Sequence, residues 1–238
     1  MKYPNFDEEK KLWKKGFSSV AGLDEAGRGP LAGPVVAAAV VFTKNCKIKN
    51  LCINDSKKLS ERQRDFFYEI LTNHKDIKWG VGIVSEKIID KINILQATKL
   101  AMQKAIVSLR GHSNGRGNPG VLCANSRLPR RPSARLRTPR NDESVNVDYL
   151  LIDGNFKINS IMRQKSIVKG DQKVFSVAAA SIIAKVTRDR IMQKFDKKYP
   201  QYGFKKHKGY GTKAHFASLE KFGPCKIHRK TFWPISGM

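Results

Sequence analysis

Four acidic side chains close three apolar runs, and together they could hold hard divalent cations. Asp24 and Glu25 follow Val20-Ala21-Gly22-Leu23. Asp153 follows Tyr149-Leu150-Leu151-Ile152, and Asp171 follows Ser166-Ile167-Val168 by way of Lys169-Gly170. In an open α/β sheet the strand ends aim side chains into a common crevice. Carboxylates gathered there bind Mg²⁺-like ions through oxygen, without the imidazole or thiolate that zinc sites use. Two such ions about 4 Å apart activate a water and stabilise the leaving 3′ oxygen of a phosphodiester. An aspartate beside a glycine at a strand end is also an ordinary turn former. On spacing alone the two readings stand level; three such ends in one chain keep the metal reading in play.

The segments between these acids read as an α/β sandwich. The runs at 20–23 and 35–42, joined by Pro30-Leu31-Ala32-Gly33-Pro34, form a hairpin-like pair of strands. Ser60-Glu61-Arg62-Gln63 is a capping box opening a helix that buries Phe66, Phe67, Ile70 and Leu71. A third strand is expected at 79–84, then one or two amphipathic helices over 85–109. Buried-type strands follow at 149–154 and 166–168. A strong helix at 175–198 stops before Pro200, and another at 212–222 ends at Gly223-Pro224. Strands first and helices late indicate a basic helical C-terminal lobe from about residue 190 on a single domain spanning 1–238.

The chain carries 46 basic and 20 acidic side chains, a net charge of +26. That excess exceeds what solubility needs and favours a polyanionic partner, because each neutralised phosphate releases counterions. An acidic pit in so basic a protein makes sense if cations sit in the pit. No run reaches the ~18–20 apolar residues of a membrane span. The N-terminal segment has no apolar core of a secretion signal. Four scattered cysteines suggest reduced thiols in a cytoplasmic protein; a monomer is expected. Residues 110–146 break the pattern. Residues 110–140 hold eight of the fifteen arginines and none of the thirty-one lysines, with no apolar periodicity. They read as a disordered Arg-rich insertion, the alternative being an RNA-binding arm.

Several blocks closely resemble the signature of the ribonuclease HII family, the type 2 ribonucleases H. They are Gly22-Leu23-Asp24-Glu25-Ala26-Gly27-Arg28-Gly29-Pro30, Asn54-Asp55-Ser56-Lys57-Lys58-Leu59-Ser60, Leu151-Ile152-Asp153-Gly154-Asn155, and Val168-Lys169-Gly170-Asp171. Ala184-Lys185-Val186-Thr187-Arg188-Asp189, His207-Lys208-Gly209-Tyr210-Gly211-Thr212 and His228-Arg229 continue the likeness in the family's order. The resemblance implies a ribonuclease-H-like fold, a five-stranded mixed sheet flanked by helices with a helical C-terminal extension. It implies Mg²⁺ or Mn²⁺ held by Asp24, Glu25, Asp153 and Asp171, working as a two-metal centre. It also implies cleavage of RNA–DNA hybrids, and cleavage 5′ to ribonucleotides embedded in duplex DNA, leaving 5′-phosphate and 3′-hydroxyl ends.

Physical chemistry then suggests roles. Neighbouring residues of a strand face opposite ways, so for Asp24 and Glu25 to share a site the strand should end or bulge there. Gly27 and Gly29, either side of Arg28, let the backbone approach a 2′-hydroxyl. Tyr210 resembles the family's junction-sensing tyrosine. Ser56, Lys57 and Lys58 are expected at DNA phosphates, or else solvated. Lys169 and Lys185 are expected at phosphate or paired with acids. His207, His215 and His228 read as phosphate contacts or surface groups. A non-catalytic RNA-binding protein would explain the charge but not the acids. A 3′ exonuclease would explain the acids but not the glycine and tyrosine blocks.

Overall fold

The computed structural model describes residues 3–42, 44, 46, 53, 56, 59–110 and 146–238. Lys57, Lys58 and nearly all of the Arg-rich stretch therefore lie outside the described residues. Among the described residues a five-stranded mixed sheet runs in the order β3-β2-β1-β4-β5. Its strands are β1 (Val20–Ala26), β2 (Val35–Phe42), β3 (Ile77–Val84), β4 (Tyr149–Asp153) and β5 (Arg163–Ile167). β1 pairs antiparallel with β2, and β2 with β3. β1, β4 and β5 run parallel, so their C-terminal ends share one edge of the sandwich. The expected hairpin and the mixed sheet are both present.

Central β2 reads Val-Val-Ala-Ala-Ala-Val-Val-Phe and is buried along its whole length, as a strand covered on both faces must be. One face packs on α3 (Glu86–Arg110), with Ala37, Ala39, Ala101, Ala105 and Leu109 in the interface. Here α3 lies almost on the strand backbone: a Cβ at Gly82 of β3 would stand 2.0 Å from the carbonyl oxygen of Ala101. The second face packs on α4 (Phe175–Lys198) and α2 (Glu61–Asn73) through Ala38, Val40, Ala178, Ile182, Tyr68 and Leu71.

The Ser60 capping box is formed, with Ser60 Oγ accepting from the Gln63 amide and Gln63 Oε1 from the Ser60 amide. The buried stripe of α2 differs from the expectation. Leu71 is buried and Phe67 packs half-buried on the same core as expected, but Phe66 is 63% exposed and Tyr68, outside the expected set, is buried in its place. Over 85–109 the alternative of two helices applies. Asn93 takes φ 64° and kinks α3, and its Oδ1 accepts from the amides of Leu95 and Gln96 to restart the helix.

The C-terminal part comprises the short α5 (Phe204–His207), α6 (Lys213–Phe222) and the chain beyond. It closes over the loop between β1 and β2 with its own core of Leu31, Ala32, Met192, Phe204, Leu219 and Ile227. Among the described residues no helix is long and apolar enough to cross a membrane.

Candidate active site

The parallel strands deliver the acids to one edge. Leu23 pairs with Ile152, so Asp24 and Asp153 follow side by side on neighbouring strands. β1 does not end at Asp24 as the sequence suggested: it stays paired with β2 through Ala26, and it is the β4 pairing that stops at Leu23. The amide of Glu25, released from that side, donates to Asp24 Oδ1 at 2.7 Å. Ala21 and Leu23 face α3, so strand alternation sends Asp24 toward α4 and Glu25 toward α3, astride the sheet edge. Leu151 packs with Val174 and Val177, and Asp153 shares its face. Asp171 sits not at a strand end but on a 3₁₀ turn, Gly170–Gln172, between β5 and α4. The Gly170 amide donates to Asp153 Oδ1 at 2.6 Å, locking that turn to β4. Asp24 and Asp171 are buried and Asp153 half-buried.

The electrostatics of this edge suit cations. Burial, then the charges of Glu25 and Asp153, push the Asp24 carboxyl well above its ordinary value. Hydrogen bonds from the Ser181 hydroxyl and the Glu25 amide only partly offset this. A divalent ion would relieve that repulsion, and the all-carboxylate donors match a hard ion. The acids ring the edge without closing on a point. Among the described residues, the group of three whose ligand atoms all lie within 4.8 Å of one another is Cys46, His74 and Asp76, at the opposite end of the sheet.

Two buried arginines hold the loop that follows β1 beside the acids, and nothing in their spacing announced them. Arg188 of α4 donates from Nε to Pro34 O (3.0 Å), from Nη1 to Lys208 O (3.0 Å) and from Nη2 to Ala32 O (3.1 Å). Arg229 donates to the carbonyls of Gly33 (3.0 Å), Arg28 (2.9 Å) and Gly27 (2.5 Å). Burial lowers both, Arg188 to about 10 and Arg229 to about 9, yet both remain cations at neutral pH. Gly27 is obligatory twice over: its φ is +97°, and a Cβ would fall 2.0 Å from Arg188 Nε. With the Gly27 and Arg28 carbonyls turned inward, Arg28 and Gly29 face solvent. Tyr210, 45% exposed, lays its ring against Gly29, 3.7 Å from where a side chain would begin.

The other named residues fall as follows. Arg28 Nη1 is 3.4 Å from Glu25 Oε1, so this cation stands beside the acids. Lys169 is exposed and left-handed (φ 56°) just ahead of Asp171. Ser56 is not at a phosphate-facing surface: it is buried, with its hydroxyl 2.7 Å from Ser181 Oγ, behind Asp24. Lys185 pairs with Asp189 at 2.9 Å rather than with a site acid. His215 and His228 are buried, correcting the reading of them as surface or phosphate groups, and His207 stacks on His215. A hint was available for His215, which lies four residues before Leu219 on the buried stripe of α6. For Arg188 the local sequence, Lys185-Val186-Thr187-Arg188-Asp189-Arg190, is polar and gave no sign of burial.

A five-stranded mixed sheet with flanking helices and acids at the parallel strand ends defines a ribonuclease-H-like nuclease fold. The ribonuclease H2 of Pyrococcus horikoshii OT3 superposes with a TM-score of 0.63 at 25% identity, over 92% of this chain and 96% of that one. Bst-RNase HIII in complex with Mn²⁺ shares the fold, with a TM-score of 0.61 at 17% identity over 92% and 68% of the two chains. The family model described as Ribonuclease HII matches residues 21–113 and 133–234. A Ribonuclease HII from Acetivibrio thermocellus is 48% identical over 225 residues, 94% of this chain and 73% of that protein. The chain belongs to the ribonuclease HII family and is a metal-dependent endoribonuclease.

Proposed function

We propose that this chain hydrolyses the RNA strand of RNA–DNA hybrids and cuts duplex DNA 5′ to embedded ribonucleotides, leaving 5′-phosphate and 3′-hydroxyl ends. One observation carries the reading. The carboxylate edge and the Gly27-Arg28-Gly29 loop are continuous along β1, and the ring of Tyr210 closes over that loop at Gly29. Asp24, Glu25, Asp153 and Asp171 would hold two Mg²⁺ or Mn²⁺ ions. Bound there, such ions supply an activated water and stabilise the leaving 3′ oxygen.

The protein's own groups do the selecting. The loop at Gly27 and Gly29 brings main chain against the sugar, where a 2′-hydroxyl can be paired and its absence leaves polar groups unpaired. The Tyr210 ring stacks on the deoxyribose that follows the ribonucleotide. Arg28 and Lys169, exposed on either side of the acids, engage phosphates, and the net charge of +26 draws the duplex in.

The test is a labelled DNA duplex with one ribonucleotide, incubated with Mg²⁺, with Mn²⁺, or with EDTA. Internal metal-dependent cleavage 5′ to the ribonucleotide, with an all-DNA duplex uncut, is the expected result. Trimming from the 3′ end, or binding without cleavage, would overturn it.

A further inference from the structure

Beneath Tyr210 lies a chain of buried hydrogen bonds whose direction the geometry fixes. His215 Nδ1 is 2.9 Å from the Tyr210 carbonyl oxygen, and His215 Nε2 is 3.0 Å from His228 Nε2. His228 Nδ1 lies 2.8 Å from the Cys225 amide nitrogen. A carbonyl only accepts, so His215 carries its proton on Nδ1. A neutral His215 then accepts at Nε2, which obliges His228 to donate from Nε2. A neutral His228 must then accept at Nδ1, and a backbone N–H stands there to be accepted. Reasoning from the Cys225 end gives the same assignment. The longer 3.3 Å approach of His228 Nδ1 to Cys225 O is a by-product of that turn.

The chain works only while both rings are neutral. A proton on His215 sets two N–H groups facing each other across 3.0 Å, and a proton on His228 sets its Nδ1–H against the Cys225 N–H at 2.8 Å. Burial, the main cause for both, holds each near a pKa of about 4, so both are neutral at physiological pH. His207 stacks on His215 with ring centroids 4.4 Å apart, and the rings of Phe204 and Tyr202 enclose the pair. His207 is itself committed, accepting from the Gly209 amide at Nδ1 and donating from Nε2 to Tyr202 O.

We propose that His228 and His215 are positioning residues, a one-way relay from the Cys225 amide to the Tyr210 carbonyl. By this relay two buried side chains set how sharply the enzyme distinguishes a ribonucleotide–deoxyribonucleotide junction from continuous RNA. The proposal rests on the junction-sensing reading of Tyr210. The relay acts on main chain at the residue whose ring lies against Gly29. The Tyr210 carbonyl also accepts from the Thr212 amide at 2.9 Å. Losing the relay would thus loosen the loop without unmaking it.

The experiment has two arms. ¹⁵N NMR of the histidine rings reads the tautomers without any substrate. His215 is expected in the Nδ1–H form and His228 in the Nε2–H form, neither titrating above pH 5; an Nε2–H His215 overturns the relay. The second arm measures kcat/KM on a single-ribonucleotide duplex divided by kcat/KM on a long hybrid, a ratio that does not depend on how much enzyme is folded. His215→Leu should lower it by roughly three- to tenfold, about what one neutral hydrogen bond is worth. His215→Asn, whose amide can still donate to Tyr210 O, should restore most of it. In a Tyr210→Ala background His215→Leu should change nothing further. If Tyr210→Ala shifts the ratio and His215→Leu does not, the relay's role in specificity is overturned while Tyr210 keeps its role. If Tyr210→Ala leaves the ratio unchanged, the junction reading fails and the specificity role falls with it.

Discussion

Arg188→Lys is the sharpest probe of how the loop between β1 and β2 is held. The guanidinium serves three carbonyls from three different nitrogens, Pro34, Lys208 and Ala32, all at 3.0–3.1 Å. A lysine keeps the charge but has one nitrogen, on a stem that cannot span a fork. About two charge-assisted bonds are lost, each worth roughly 1.5–3 kcal/mol, so the variant should be about 3–6 kcal/mol less stable. For a chain of this size a kcal/mol moves Tm by about 2–4 °C, which places the shift at about 6–24 °C. Differential scanning calorimetry reads that directly. Because Arg188 joins the loop before Pro34 to the segment carrying Tyr210, kcat/KM on a hybrid should also fall when assayed well below the new Tm. A Tm within about 2 °C of the wild type would refute the claim that the fork, rather than the charge, is what matters. A large Tm shift with unchanged kcat/KM would show that Arg188 holds the fold and not the site.

Other outcomes follow from the same geometry. Asp24→Asn should reduce metal-dependent turnover by orders of magnitude. In EDTA it should raise Tm by roughly 2–4 °C, because it removes a buried charge pressed by Glu25 and Asp153; a lower Tm in EDTA would contradict that account. His215 and His228 are held near 4 against 6.5 in the unfolded chain. The unfolded state therefore takes up protons that the folded state refuses. Their contribution is complete above about pH 6.5 and declines as pH falls toward 4. Urea midpoints at pH 7.5, 6 and 5 should fall in that order, less steeply in His215→Asn, and a wild type no more pH-sensitive than the variant would refute it. Replacing residues 114–132, which the family model passes over, with a short Gly-Ser linker should leave cleavage near wild-type rates. Stability should rise by about 1 kcal/mol at most, and binding should weaken chiefly at low salt as four arginines are lost. Loss of cleavage at both low and high salt in a folded variant would make that segment part of the machinery.

Much of the scaffold was legible because it is periodic or punctuated. The apolar run of β2, the Ser60 capping box and the α4 helix up to Pro200 all appear where patterning put them. The acids were legible as ends of apolar runs, though Asp171 occupies a turn past its strand. What escaped is what periodicity does not encode. That β4 stops pairing at Leu23 while β1 runs on is a matter of register between strands more than 120 residues apart. Arg188 and Arg229 were given no role from the sequence, since a basic residue carries no local sign that backbone carbonyls will surround it. His215 and His228 become a pair only once α6 folds back on the segment after Gly223, and Ser56 becomes support for Ser181 only across 125 positions of chain.

The bond from Arg229 to the carbonyl of Gly27 spans 202 positions. Synthesis runs from Asp24 toward Arg229, so a ribosome exposes the first two acids long before the clamp on their neighbouring loop exists. Asp153 and Asp171 arrive in between and Arg229 after all of them. In this order the loop beside the first two acids stays unclamped until nearly the whole sequence has been made. A chain terminated between residues 171 and 229 would carry every acid and still lack the arginine that holds the loop after β1 in shape.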